Sequence, residues 1–229
     1  MAIVKKYLAE VISIEKPFKQ LYTVKMRAID SVFKYSPGQF LHLALDEYDP
    51  SSGWPESRCF SMQSNSKDEF IKITYAVKGA FTKRMENELN IGSMVTLKLP
   101  YGDLFSQDHS QVNTIFIAGG TGITPFLSLF NDASFVNYSN PILYAGFREQ
   151  KLNIYSDEIN LAKNNNSSLI VNCIYQDKKG ILNIAKILKS NDINRTFFIS
   201  GPPVMIKNFK NYLIENGVFY NQIKTDDWE

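Results

Sequence analysis

Four short stretches carry residues whose types and spacing suit chemistry on anions. RCFS (58–61) sets an arginine three residues from a serine hydroxyl, inside a strand-like run. A guanidinium keeps its charge and grips phosphate oxygens with two parallel N–H bonds. AGGTGITP (118–125) follows an apolar run and opens a helical one. Glycines there let the backbone turn tightly, and a helix start offers N–H groups and a positive dipole end to an anion. Gly120 and Gly122 match G-x-G, while Pro125 stands in the place of the third glycine of the dinucleotide fingerprint and suits a first helical turn. SGPP (200–203) has the same strand-to-helix context, at the carboxyl end of a strand, where open α/β sheets bind ligands. KGAFT (78–82) precedes the helix of the first half, with Thr82 as the expected N-cap. The last three have plain alternatives: packing glycines in the turn, an ordinary loop at SGPP, and a helix that only plugs a barrel end.

Two kinds of element must position these stretches. In the first hundred residues, 7–14, 22–29, 40–45, 58–63, 70–77 and 94–99 alternate or run apolar between the turn signals SPGQ, DPSSGWP, NSKD and LNIGS. That pattern predicts an antiparallel barrel. Its exception is FTKRMENEL (81–89), where Phe81, Met85 and Leu89 recur four apart on one helical face. Past residue 109 the period changes. Apolar strands at 114–119, 141–147, 169–175, 196–201 and 222–228 alternate with helical patterns at 124–133, 155–164, 181–190 and 204–217. Strands alternating with helices predict a parallel sheet covered on both faces. The expected domains are residues 1–108 and 109–229.

Composition narrows the function classes. Net charge is +2, and residues 1–109 carry 14 basic and 13 acidic side chains against 11 and 10 in residues 110–229. No half has the electrostatic footprint of a nucleic-acid or anionic-membrane binder. Charges come too early at the N-terminus for a signal-peptide core, which, with the cysteine usage, predicts a cytoplasmic protein. The run from Asn113 to Phe147 carries one charge, Asp132, but glycines and prolines break it, so it does not read as a membrane span. Two cysteines, Cys59 and Cys173, exclude a disulfide framework or an all-cysteine iron–sulfur cluster in this chain and read as small buried apolar residues. His42 and His109 are isolated, so no metal site is expected.

Taken together, the four motifs resemble the ferredoxin–NADP⁺ reductase superfamily over nearly the whole chain. Arg58-Cys59-Phe60-Ser61 matches its R-x-[YF]-[ST] flavin motif, and ITYAVKGAFT (73–82) its second flavin segment. Gly119 to Pro125 matches G-G-T-G-[IV]-x-P, and Ser200 to Met205 its C-G-P-P-x-M. The resemblance implies a Greek-key flavin barrel followed by a Rossmann-like nucleotide domain. It implies FAD, rather than FMN, held at its pyrophosphate by Arg58 and the N–H groups after Gly79, those of Ala80, Phe81 and Thr82. Phe60 would lie against the isoalloxazine ring, beside Cys59, and Ser61 would hydrogen-bond N5. Thr74, Tyr75, Ala76 and Val77 would line the ribityl chain and adenosine. Gly120, Thr121, Gly122 and Thr124 would hold the dinucleotide pyrophosphate, and Gly201, Pro202, Pro203 and Met205 would border the nicotinamide.

The implied activity passes two electrons from NADH or NADPH through the flavin to a separate acceptor: ferredoxin, flavodoxin, an oxygenase component or a small oxidant. A flavin- or nucleotide-binding subunit without turnover of its own is the alternative. Catalytic positions implied are Ser61, Ser200 and Asp226, with Trp228 stacking on the flavin. Ser200 replaces the family's frequent cysteine, Cys59 its proline and Phe60 its tyrosine. Gln176 and Asp177 disfavour a 2′-phosphate and point to NADH, against Lys178, Lys179 and Arg148. For an acidic carrier, a basic patch is expected around Lys78, Lys83 and Arg84.

Overall fold

The computed structural model describes residues 3–225. They form two compact units, Met1–Asp103 and Leu104–Glu229. The division falls five residues before the expected one because the side chains of Leu104 and Phe105 already pack into the apolar core of the second unit.

The first unit is one antiparallel sheet in the order β4-β3-β6-β1-β2-β5. Its strands are β1 (Lys5–Phe18), β2 (Leu21–Ala28), β3 (Phe40–Ala44), β4 (Ser57–Ser61), β5 (Ile71–Ala76) and β6 (Met94–Tyr101). Alternate side chains such as Tyr7, Ala9 and Val11 of β1 point inward, and their neighbours are exposed or half-buried, which rolls the sheet around one core. Register shifts between Val11 and Ser13 and between Glu15 and Phe18 bend the long β1. The roll closes where Gln63 N–H donates to Lys72 O at 2.8 Å. α1 (Ala80–Glu88) turns Phe81 and Met85 into that core, the face its four-residue spacing predicts.

The second unit is a parallel sheet in the order β11-β10-β7-β8-β9. Its strands β7 (Ile115–Gly119), β8 (Ile142–Phe147), β9 (Ile170–Tyr175), β10 (Phe197–Ser200) and β11 (Ile223–Thr225) alternate with helices. These are α2 (Thr124–Phe130), α3 (Ser156–Asn165), α4 (Gln176–Lys179), α5 (Ile184–Lys189) and α6 (Pro203–Glu215). Alternation along each strand splits the core in two. Phe116 and Phe198 face α2 and α3 amid an aromatic cluster, while Ile115, Ile117, Phe197 and Ile199 face α5 and α6. The chain order reverses at β7, whose neighbours are β8 on one side and β10 on the other. In such sheets the carboxyl ends of the two strands at the reversal make a crevice for a ligand.

Sequence periodicity misses the short 3₁₀ and helical turns, among them one in the glycine motif and one after β9. Gly120–Ile123 is a turn of 3₁₀ helix, so α2 begins only at Thr124. Gln176–Lys179 winds into α4 straight from β9, with too few residues to show a period.

Candidate functional site

The barrel is closed at Gln63–Lys72 and open beyond it. Among the described residues β4 and β5 pair with β3 and β2 respectively and form no ladder with each other. Met62 N–H donates to Gln39 O on the β3 side and Val77 N–H to Gln20 O on the β2 side. Because main-chain groups alternate along a strand, Cys59 and Ser61 of β4 and Thr74 and Ala76 of β5 turn their N–H and C=O toward the split. A planar ligand with polar edges finds donors and acceptors there on both sides.

At one end of β4, Arg58 lies exposed with its guanidinium carbon 5.3 Å from the centroid of the Phe81 ring, in the first turn of α1. Its Nη1 donates to Ser57 O at 2.8 Å, and Nη2 pairs with Glu56 Oε1 at 3.2 Å. The first N–H groups of a helix, here those of Ala80, Phe81 and Thr82, have no intrahelical acceptor. Thr82 is not the N-cap: Gly79 holds that position. From the third helical position the Thr82 hydroxyl reaches back to accept from Lys78 N (2.9 Å) and Gly79 N (3.1 Å). It therefore fixes the loop that enters the helix and leaves the helix end open.

The remaining motif residues of β4 divide between faces. Phe60 is buried in the barrel core, its ring 6.0 Å from that of Tyr75. Tyr75 in turn stacks on Tyr22 at 5.4 Å. Cys59 points the other way, its Sγ 3.5 Å from Nε2 of His42, so only its main chain is offered to the split. Burial, then the nearby Lys98 cation, hold the His42 imidazole below its ordinary pKa and favour its neutral form. Neither Cys59 nor Cys173 is fully buried, contrary to the reading of both as core residues; each is half-buried and outside any disulfide. The Thr74 hydroxyl donates to Gln63 Oε1 at 2.6 Å and meets Thr23 Oγ1 at 3.1 Å, which ties β5 to its neighbours on the face opposite the core residues Ile73 and Tyr75.

In the second unit the two glycine motifs meet at the sheet reversal. A Cβ on Gly122 would come within 2.5 Å of the Gly201 backbone, and one on Gly119 within 2.8 Å of Met205 Sδ. Gly120 sits at φ 57° beside open space. Thr124 is buried, its hydroxyl donating to Thr121 O at 2.9 Å, and Ser200 is buried at the end of β10 opposite Ala118. Pro202 and Pro203 are exposed at the start of α6, with Met205 half-buried behind them. Arg148 is exposed after β8, and its carbonyl accepts from Asp177 N at 3.2 Å. A cavity of about 240 Å³ is lined by Tyr144, Ile174, Lys179, Leu182, Asn183 and Lys186, among others. Asp226 and Trp228 lie outside the described residues.

Two of the three cations of the expected basic patch, Lys83 and Arg84, are paired with acids. Lys83 pairs with Glu86 at 2.6 Å, and Arg84 is clamped by Asp46 (2.9 Å) and Glu88 (3.0 Å). Those acids are on α1 itself or reach it from the segment after β3, so a count of nearby lysines and arginines alone misses them.

Residues 116–211 match the family model of the oxidoreductase NAD-binding domain. Methane monooxygenase component C of Methylosinus trichosporium is 29% identical over 167 residues, 69% of this chain and 47% of the relative. The reductase component of propane 2-monooxygenase from Mycolicibacterium goodii is 23% identical over 96% of this chain and 66% of the relative. The chain thus spans about half to two thirds of the length of these curated relatives. A ferredoxin NADP⁺ reductase from Neisseria gonorrhoeae, solved with bound FAD and NADP, superposes with a TM-score of 0.80 at 17% identity, covering 97% of this chain and 98% of that one. At that identity the likeness shows the fold: the barrel and the parallel sheet are the same two-part architecture.

Proposed function

The chain belongs to the ferredoxin–NADP⁺ reductase superfamily, and from that premise we propose a flavin-dependent oxidoreductase that passes electrons from NAD(P)H through FAD to a separate acceptor. The observation that carries it is the split barrel. Polar main chain lines both sides of the gap, and a guanidinium lies at an open helix N-terminus. These residues fit FAD. Arg58 and the N–H groups of Ala80, Phe81 and Thr82 would hold its diphosphate. Thr74 and Ala76 would offer main-chain bonds to the ribityl chain, with Tyr75 and Val77 beside them. Phe60, braced by Tyr75, would support the flavin ring, and the Ser61 hydroxyl would bond to N5. Bound flavin supplies the chemistry this chain lacks, accepting a hydride and releasing electrons singly.

In the second unit, Gly120, Thr121, Gly122 and Thr124 would take the dinucleotide diphosphate at the sheet reversal. The contact of Gly122 with Gly201 brings Pro202, Pro203 and Met205 to the same crevice, where they and Ser200 would border the nicotinamide. Asp226 would be a catalytic residue and Trp228 a flavin-stacking ring, as the resemblance implies. The cavity beside Lys179 and Lys186 would take the adenosine half. Gln176 and Asp177, which open the short helix α4 ahead of Lys179, support NADH as the preferred donor, and Arg148, whose carbonyl accepts from Asp177 N, is a further cation beside them.

For the acceptor, the monooxygenase names of two relatives support an oxygenase component over a small oxidant. No helix among the described residues is long and apolar enough to cross a membrane. The test is direct. The purified protein, reconstituted with FAD, is expected to be yellow and to bleach anaerobically on adding NADH. A colourless protein that takes up no flavin refutes the reading. A yellow protein that neither nicotinamide cofactor reduces identifies instead a binding subunit without turnover.

A further inference from the structure

We propose that Glu56 is an exchangeable counter-ion: it holds Arg58 while the flavin diphosphate is absent and passes to Arg84 when the diphosphate arrives. The inference rests on the flavin reading above and concerns how readily that cofactor is gained and lost.

Glu56 stands between two guanidinium groups. One carboxylate oxygen, Oε1, is 3.2 Å from Arg58 Nη2, and the other, Oε2, is 3.7 Å from Arg84 Nη1. Arg84 is anchored independently of Glu56. Its Nη2 and Nη1 donate to Asp46 at 2.9 and 3.2 Å, and its Nε and Nη2 donate to Glu88 at 3.0 and 3.1 Å. It is therefore a fixed cation to which Glu56 can turn by side-chain rotation alone. Arg58 is anchored independently too, by its bond to Ser57 O and its position over Phe81. When Glu56 leaves, Arg58 stays aimed at the start of α1.

Charge decides the direction. While Glu56 remains on Arg58 it neutralises that guanidinium, so a diphosphate approaching Arg58 is attracted less than when Glu56 has turned to Arg84. About half of each of the Arg58 and Glu56 side chains is exposed, so their pair is weak and its exchange is not opposed by burial. Glu56 therefore lowers diphosphate affinity, and Arg84 limits that loss by drawing Glu56 aside.

The test is a titration of the apoprotein with FAD at low ionic strength, with riboflavin, which has no phosphate, as the second probe. Glu56→Gln is expected to bind FAD about 2- to 5-fold more tightly, the span of one exposed charge pair, with riboflavin binding unchanged. Arg84→Gln is expected to weaken FAD binding by a similar factor, and 0.5 M salt to shrink both effects. Unchanged or weaker FAD binding by Glu56→Gln overturns the proposal, as does an equal shift for riboflavin, which would make Glu56 a structural residue. Wild-type protein that binds neither probe fails the flavin reading itself, a separate outcome.

Discussion

Arg58 and Gly122 put opposite demands on their surroundings, and each yields a prediction. Arg58 needs access, and its guanidinium is exposed at the open helix end. Arg58→Ala should weaken FAD retention about 10- to 100-fold, the worth of a charge-assisted, two-pronged contact, read as cofactor lost on gel filtration. Retention equal to wild type would strip Arg58 of its role. Gly122 needs closeness, since its Cα meets the Gly201 backbone where no Cβ fits. Gly122→Ala should cost about 1–3 kcal/mol through overpacking, seen in denaturant unfolding, and should also impair NADH-dependent reduction. The sequence makes both residues legible because each sits in a motif with a physical reason for its type. Glu56 was not legible. An acid two residues before an arginine has no distinctive spacing, and its partner Arg84 comes 28 positions later, so only the fold joins them. Thr82 shows the same limit: a threonine near a helix start reads as the cap, yet it caps from within the helix.

Among the elements, α1 is tied to the barrel by Glu86 as well as by the Arg84–Asp46 pair. Glu86 accepts from Lys83 Nζ at 2.6 Å and Tyr22 OH at 2.8 Å, with Lys16 at 3.5 Å. The bond from Lys83, and then that from Tyr22, hold its carboxyl down at about 2, below its ordinary value of 4.5. A carboxyl depressed in the folded state stabilises above its unfolded pKa, and that contribution is lost as pH falls from about 4.5 toward 2. Melting temperatures of wild type and Glu86→Gln should differ at neutral pH and converge as pH drops through that window. A gap that stays constant down to pH 2 would show that the carboxyl charge is not what docks α1. Tyr22 stacks on Tyr75, which packs on Phe60, so α1 also braces the residue proposed to support the flavin ring. Period and turn chemistry made α1 and the alternating strands readable in advance. They failed for Gly120–Ile123 and Gln176–Lys179, where four residues hold barely one turn and no repeat exists to detect.

Across the whole molecule, each unit brings together on its own the motifs assigned to it, and the donor preference tests the second unit in particular. NADH should give a higher kcat/KM than NADPH. Replacing Lys179 and Lys186 together by alanine should lower kcat/KM for NADPH more than for NADH, since on the proposed placement of the adenosine half only NADPH would bring a 2′-phosphate to the cations of that cavity. A clear wild-type preference for NADPH would overturn the donor assignment. The alternation of strands and helices predicted the parallel sheet, but the order that puts β10 beside β7 is a long-range choice that local pattern does not encode. The gap between β4 and β5 has a further consequence, for the life of the chain before it meets its cofactor. A strand edge that forms no ladder is a template on which a second chain can add its own strand. The barrel proposed to receive a flavin therefore also offers an edge for strand addition. In a cell short of flavin, newly made chains would clump rather than accumulate as soluble, empty protein, and vitamin supply would set the yield of protein as well as its colour.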